Sequence, residues 1–417
     1  MRRRSVLIQV ANLSVPSDRR VWNEAQTLVA AGWQVSVVCP KGGSRDNEAF
    51  VELDGVSIYR YEIKTRPPST LGYITEFAIM LAKHARLAMR ARRRHRFSVI
   101  HACNPPDLFF VIAAFYRLFG VRLVFDQHDA DPEIFIVKFG LGTPLKRFLY
   151  RGVLLCERLT YMLADQVIAP NESYKKLALT RGHRSSDDVM VVRSGPLKHE
   201  LDAARSAVGP DATVVGAAGG RDLGADAAGG SADHTIGYLG VMGVQDGVDL
   251  LLEAVALLVA ERGKEYVRAE LVGDGEVRPA LERQAEALGV SANVTFHGFQ
   301  PAAWFVAVLG SCDLCVAPDP PNEFNDISTM NKVIEYMAMD QPVVTFALHE
   351  TVTIVGEAGV AAAGPTAADL AQAIAAVLDD DDRRAAMSRA ATQIFADTLG
   401  WERSQPALLS VYERLAR

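Results

Sequence analysis

The sequence predicts an α/β protein built from two Rossmann-like domains, and three observations carry that prediction. Apolar runs of strand length alternate with stretches of helical periodicity, the pattern of parallel sheets with crossover helices. The length, 417 residues, is too great for one ordinary core and suits two domains. The alternation breaks once, in a Gly-, Ala- and Asp-rich run over 203–233, and then starts afresh.

Residues 6–10 read as the first strand. The arginines before it resemble the start of a signal peptide, but the apolar run is too short and lacks a small-residue cleavage site. A helix follows with Val21, Ala25, Leu28 and Val29 on its apolar side, and it stops at Ala31-Gly32. Strands are expected at 35–39 and 55–61, then a helix from 77 to about 91. The strand at 99–102 runs into Cys103-Asn-Pro-Pro-Asp107. The strand at 123–125 delivers Asp126-Gln-His128-Asp129 to its carboxyl end, where open α/β sheets place their ligands. Strands at 167–169 and 189–192, with a helix capped near Asn171 between them, complete a first domain assigned to 1–200. A flexible interdomain segment is expected over 201–233, a second domain over 234–400 and a closing helix over 401–417.

The second domain opens with a strand at 235–239, the loop Gly240-Val-Met242-Gly243 and a helix through Leu250, Leu251, Ala254, Leu257 and Leu258. The strand at 269–272 ends in Gly273-Asp-Gly275, and the next ends in His297-Gly298. Strands at 314–317 and 343–346 bracket the richest segment, Asp326-Ile-Ser328-Thr329-Met330-Asn331-Lys332-Val-Ile-Glu335. Ser328, Thr329 and Asn331 are good cap formers, so a helix is expected from about 330 to 339. Lys332 and Glu335, three apart, share one face of its first turns. A helix start with hydroxyls and a lysine suits a phosphate, and a carboxylate one turn deeper suits ribose hydroxyls. The plain alternative is a surface ion pair between Lys332 and Glu335.

Composition narrows the classes. Hydrophobic residues make up 49% and charged ones 23%, ordinary for a globular chain. No apolar run reaches the roughly 18 residues a membrane span requires. Five cysteines, an odd number scattered along a long chain, suggest reduced thiols and a cytoplasmic setting. Cys312 and Cys315 form C-x-x-C inside a strand pattern, with no second cysteine pair, so packing is preferred over zinc or redox chemistry. Charge is uneven. Residues 1–196 hold 29 Lys and Arg against 18 Asp and Glu, a net of +11, which leaves −17 for the rest. The excess peaks between Lys83 and Arg96, a candidate contact for an anionic membrane surface or simply a solvated helix end. Without aromatic interleaving or a reading motif, nucleic acid is not an expected partner.

The segment 326–350 resembles the donor-binding region of glycosyltransferase family 4, retaining enzymes of the GT-B fold. The resemblance extends over nearly the whole chain through Asp18-Arg19-Arg-Val-Trp, His101-Ala-Cys-Asn104-Pro-Pro, Phe125-Asp-Gln-His128-Asp129, Gly237-Tyr-Leu-Gly240, Gly273-Asp-Gly275 and Phe296-His297-Gly298. It implies two Rossmann-like domains facing each other across a cleft, with the closing helix packed back on the first. It implies catalytic roles for His128, Lys332 and Glu335. Donor contacts would come from Gly240, Met242, Gly243, Gly273, Gly275, His297, Gly298, Asp326, Ser328, Thr329, Met330 and Asn331. Acceptor contacts would come from Asp18, Arg19, His101, Asn104 and Asp129; for His128, a hydrogen bond to a backbone carbonyl is the plain alternative.

The implied reaction moves a hexosyl residue from a nucleotide-diphosphate sugar, UDP-sugar favoured, to a glycan or lipid-linked acceptor of the cell surface. It retains configuration and needs neither metal nor cofactor, and the leaving diphosphate assists on the front face. The implied site is cytoplasmic, with a peripheral position at the inner membrane face. Two departures stand out. The family's usual Arg and Lys are missing from the loop 240–247, and Ile327 occupies the place of the first of two glutamates, with Asp326 beside it. A bacterial surface-polysaccharide subgroup resembles this variant. A GT-B nucleotide-sugar 2-epimerase and a non-catalytic binding protein remain as alternatives.

Overall fold

A computed structural model describes residues 4–42, 46–62, 70–207 and 232–416. They form two compact units, Met1–Ser194 with Glu402–Arg417, and Gly195–Trp401.

The sheet of the first unit contains β1 (Ser5–Gln9), β2 (Gln34–Pro40), β3 (Phe50–Leu53), β4 (Val56–Tyr61), β5 (Val99–Cys103), β6 (Arg122–Asp126), β7 (Gln166–Ala169) and β8 (Val189–Val191). Their order is β3-β4-β2-β1-β5-β6-β7-β8. All neighbours run parallel except β3, which is antiparallel to β4. The central strands are buried along their length, which explains their unbroken apolar runs. β3 joins β4 through Asp54-Gly55, both at positive φ (47° and 82°), a two-residue turn whose Asp-Gly signal stands in the sequence but was not among the expected elements. Helices Asp131–Phe139 and Pro144–Leu163, also unforeseen, fill the crossover between β6 and β7. β1 has β2 on one side and β5 on the other, so the chain changes direction there. Ligands of open α/β sheets bind at the carboxyl ends of strands beside such a switch point.

The closing helix, Trp401–Ala416, belongs to this first unit from Glu402 onward. Leu408, Val411 and Tyr412 are buried, and the Tyr412 ring meets Trp33 edge-on at 4.9 Å.

The second unit holds β9 (His234–Leu239), β10 (Val267–Val272), β11 (Val294–Gly298), β12 (Leu314–Ala317), β13 (Val343–Thr345) and β14 (Gly359–Ala361), all parallel, in the order β11-β10-β9-β12-β13-β14. Its switch point lies between β9 and β12. One apolar cluster gathers Leu251, Leu258, Leu370 and Ile374; another gathers Trp304, Phe305, Met337 and Phe395. Gly237 in β9 is required by close packing: a side chain there would overlap Leu309 and crowd the sulfurs of Cys312 and Cys315. Both cysteines are buried and unbonded, and burial raises both thiols above the usual range.

Residues 198–207 form a helix, Lys198–Ala207, whose Leu201 joins the second cluster. The segment read from sequence as a linker from 201 therefore begins as packed helix of the second unit. Its remainder, 208–231, lies outside the described residues. Among the described residues no helix is long and apolar enough to cross a membrane.

Candidate functional site

At the switch point of the second unit, the loops leaving β9, β10 and β11 are tied edge to edge. Gly240 N–H donates to the Val272 carbonyl (3.0 Å), and Gly273 N–H donates to the Gly298 carbonyl (2.9 Å). Gly273 has a φ of 134°, and a side chain on it would run into the Gly240 carbonyl. Met242 N–H donates to the Asp274 carbonyl (3.1 Å), and a side chain on Gly275 would strike the Met242 backbone. The expected donor residues Gly240, Gly273, Gly275 and Gly298 thus form one backbone rim. Met242 contributes only its backbone there. Its side chain is fully buried among core residues, which corrects its expected contact with a ligand.

The helix Asn331–Ala338 opens beside this rim. Its N-cap is Met330, whose side chain makes no capping hydrogen bond. The N-cap position falls on Met330 and not on one of the expected cap formers. Ser328 is buried and donates to the Phe324 carbonyl (2.7 Å), ending the short helix Glu323–Ile327, while Asn331 is exposed inside the new helix and Thr329 is half-buried between the two. Asp326 is exposed, and its Oδ1 accepts from His349 N–H (2.9 Å), so it caps the helix His349–Val355. The helix Asn331–Ala338 is fixed by a residue the sequence reading passed over: the Tyr336 hydroxyl accepts from Leu239 N–H (2.8 Å) and donates to the Val316 carbonyl (3.1 Å).

Lys332 is almost fully buried. Its Nζ donates to Asp319 Oδ1 (2.7 Å), lies 3.5 Å from Asp246 Oδ1 and stands 5.1 Å from the centre of the Tyr238 ring. Burial alone would lower the ammonium, but Asp319, Tyr238 and Asp246 more than offset it and keep it charged. Asp246 belongs to the loop that lacks a basic residue, so the lysine reaches that loop from another element. Burial, with Asp319 nearby and against the pull of Lys332, raises the Asp246 carboxyl. Asp246 Oδ2 also accepts from Gly243 N–H (3.1 Å). Glu335 is half-buried one turn beyond Lys332. His297 bonds Glu270 through Nε2 (2.5 Å) and packs on Trp304, while the neighbouring Phe299 is 85% exposed.

The first unit brings a second group together at the ends of β5 and β6. The Arg20 guanidinium donates to Asp126 (2.7 and 3.3 Å), to the Val192 carbonyl and to Ser194 Oγ (2.9 Å each). His128 Nε2 lies 2.6 Å from Asp126 Oδ2. Burial would raise Asp126, but Arg20 and His128 hold it well below the usual carboxylate range. Burial and the charge of Asp126 push Glu24, whose Oε1 is 3.2 Å from Arg20, well above it. Asn104 Oδ1 accepts from the N–H groups of His128 (2.7 Å) and Asp129 (3.1 Å), fixing the loop that presents His128 at the surface. Burial raises the Asp129 carboxyl.

Two expected acceptor residues have other work. His101 is completely buried; its Nδ1 lies 2.7 Å from the Tyr412 hydroxyl and its Nε2 3.3 Å from Asp126, so it braces Asp126 and does not meet a ligand. Asp18 caps the helix Arg19–Ala30 by accepting from Val21 N–H (3.1 Å), and Arg19 is exposed on that helix. Arg20, Glu24 and Tyr412 were not foreseen. Their partners are remote in sequence, and only the adjacency of Arg19-Arg20 to the first loop hinted at a role.

Glu24, Cys103, Asp126 and His128 offer ligand atoms within 4.8 Å of one another. Arg20 already neutralises Asp126 and burial keeps the Cys103 thiol protonated, so this donor set is committed to its own network. Chemically, the second unit offers a helix start, a buried ammonium and a carboxylate one turn on. The first offers an oriented, partly exposed imidazole.

Residues 17–195 match the model of a glycosyl transferase 4-like domain, and residues 233–380 that of glycosyl transferases group 1. The chain is 28% identical over 187 residues to the D-inositol 3-phosphate glycosyltransferase of Corynebacterium urealyticum, 43% of each protein. It is 25% identical over 180 residues to the alpha-D-kanosaminyltransferase of Streptomyces kanamyceticus, 43% of this chain and 45% of that one. Both matches span less than half of the relative's length. Among solved structures, sucrose-phosphate synthase from Thermosynechococcus elongatus superposes with a TM-score of 0.74 at 17% identity over 99% of both chains. WaaG, a glycosyltransferase involved in lipopolysaccharide biosynthesis, gives 0.67 at 16% identity over 97% of this chain and 99% of its own. With the two domain models matched in order and the fold shared along its length, the chain belongs to the family 4 glycosyltransferases of GT-B fold.

Proposed function

We propose that this chain is a retaining glycosyltransferase that moves a hexosyl residue from a nucleotide-diphosphate sugar, UDP-sugar favoured, to a glycan or lipid-linked acceptor in cell-surface glycoconjugate synthesis. The observation that carries the reading is the start of the helix Asn331–Ala338 at a strand-end rim, with the charged Lys332 at its first turn and Glu335 one turn on. The N–H groups of a helix start and an ammonium attract a diphosphate and stabilise it as a leaving group. Glu335 would receive ribose hydroxyls, and the exposed Phe299 ring beside Gly298 offers a face for the base. His128, held at a strand end by Asp126 and Asn104, would meet the transferred sugar. No metal or cofactor is invoked. A lipid-linked acceptor would bring the basic first unit to an anionic membrane.

A thermal-shift screen with UDP-, GDP- and dTDP-sugars, followed by product analysis with and without acceptor glycans, tests this. A bound donor stabilises the fold by about 2.7 kcal/mol at a hundredfold excess over Kd and so raises the transition temperature. Transfer with retained configuration is expected. Conversion of the free donor without acceptor would instead identify an epimerase. One observation favours the reading of a binding protein without transfer: Lys332 is already engaged by two carboxyls. Binding with neither transfer nor hydrolysis would establish it.

A further inference from the structure

Seven large apolar side chains stand in solvent on two neighbouring helices of the first unit. Phe115, Leu118 and Phe119 end the helix Phe110–Arg117 and form the turn beyond it, with Leu118 81% exposed. On the helix Pro144–Leu163, Leu145, Phe148, Leu155 and Met162 are each more than half exposed, Phe148 at 71%. Their spacings of three, seven and seven place them on one stripe, with Gly152 and Leu159 between them. The two helices pack against each other, so the residues share one surface. An apolar face of this kind marks an interaction.

The charges around it decide the occupant. Arg147, Arg151 and Arg158 are exposed on the same helix. Its one acidic residue, Glu157, is buried and bound by Arg181 (2.6 Å). At the other margin, the Arg92 guanidinium lies 5.8 Å from the Phe119 ring centre, and Arg86, Arg90 and Arg93 continue the basic surface. Other residues of that sequence cluster are already engaged: Lys83 donates to the Glu62 carbonyl and Arg94 to Glu52. A second copy of this helix would bring Arg151 and Arg158 to the helices Phe110–Arg117 and Pro144–Leu163, which carry no exposed acidic residue to answer them. An anionic lipid surface answers both features, taking the apolar side chains below the headgroups and the guanidiniums against phosphates.

We propose that the outer face of Pro144–Leu163, with Phe115, Leu118 and Phe119, is the seat of this protein on an anionic bilayer. The basic run ending at Arg96 forms its rim and not its insertion surface. The position suits the lipid-linked acceptor of the proposed function. The helix Asp131–Phe139, which begins just after His128, packs on the docking helix through Phe135 and Tyr150, and Lys146 Nζ holds the Phe139 carbonyl (2.6 Å). The inference extends that reading, but vesicle binding is measured without donor or acceptor and stands or falls separately.

The experiment is co-sedimentation with phosphatidylglycerol and phosphatidylcholine vesicles at low and high salt. The wild type should sediment with phosphatidylglycerol alone, less at high salt. Arg151→Gln with Arg158→Gln should weaken binding about 25-fold, fivefold for each charge. Phe148→Ser with Leu155→Ser should weaken it at least tenfold with an unchanged circular dichroism spectrum and thermal transition. A wild type that stays in the supernatant, or double variants that sediment like it, overturns the proposal. Light scattering supplies one more outcome. A dimer made monomeric by Phe148→Ser with Leu155→Ser, with vesicle binding untouched, overturns it in favour of a contact between copies.

Discussion

Each unit buries a cation against two acidic side chains at its switch point, and the two are built differently. In the first unit Arg20 is spread over Asp126, the Val192 carbonyl and Ser194, with Glu24 pushed toward its neutral form, so the ionic bonds close on themselves. In the second, Lys332 has one short bond to Asp319 and a longer approach to Asp246, at a helix start whose N-cap, Met330, lends no side-chain hydrogen bond. A guanidinium suits a fixed, many-sided brace, while an ammonium on a flexible stem can change partners. The contrast assigns the first cluster to holding His128 in place and the second to meeting an incoming anion.

The sharpest way to break this contrast is to remove each cation. Arg20→Met takes from the wholly buried Asp126 its one permanent cation and leaves it only the imidazoles of His128 and His101, so unfolding free energy should fall by about 3–5 kcal/mol in a denaturant titration. A loss under 1 kcal/mol would mean that Arg20 is not a brace. In the second unit the test of function is Glu335→Gln, which should keep the fold and thermal transition while catalytic efficiency falls about a hundredfold, or 2.7 kcal/mol. Full activity in steady-state assays would remove the ribose assignment.

The two clusters also differ in how far the sequence revealed them. Lys332 and Glu335 are legible because their spacing of three within one helix is a local fact. The glycines at 240, 273 and 298 are legible because each follows a strand. The brace is not: Arg20 meets Asp126 across 106 residues, and Tyr412 meets His101 across 311. Nothing nearby in sequence announces Asp246 or Asp319 as the partners of Lys332, which lie 86 and 13 residues before it. Met242 was misplaced for the opposite reason, since a loop position between glycines looked open while its side chain turns into the core. Strand order and the helices at 131–163 likewise depend on pairings that periodicity does not encode.

Tyr412→Phe probes the brace from its far end. The hydroxyl donates to His101 Nδ1, which leaves Nε2–H facing Asp126 and the raised Glu24. Removing it leaves a buried ring nitrogen without its partner, at a cost of about 1–2 kcal/mol. The ring still packs on Trp33. Turnover should fall about threefold to tenfold while the KM for donor stays level, because the change acts through His128 and not through the second unit. A reduced transition temperature with unchanged turnover and pH profile would make Tyr412 a packing residue only.

The gentlest test sharpens the second cluster. Asp246 and Asp319 place two carboxyls around one ammonium, so an arriving diphosphate meets a site that is not yet net positive. The Asp246 carboxyl is already raised by burial and by Asp319, and a bound diphosphate raises it further. Binding therefore takes up a proton at pH values above the ordinary carboxylate range, near 4. Linkage fixes the sign: the bound state holds more protons, so donor affinity rises as pH falls through that window and levels off below it. A nucleotide-diphosphate sugar is the right probe, because its two phosphates keep a constant charge over this range. Asp246→Asn keeps an oxygen for Gly243 N–H but removes the charge. It should tighten binding about fivefold at neutral pH, roughly 1 kcal/mol, and flatten the pH dependence. Calorimetry in buffers of different ionisation enthalpy counts the protons directly. Weaker binding in the variant would show that Asp246 serves the donor by positioning Lys332, and that the ammonium needs both carboxyls to reach the helix start.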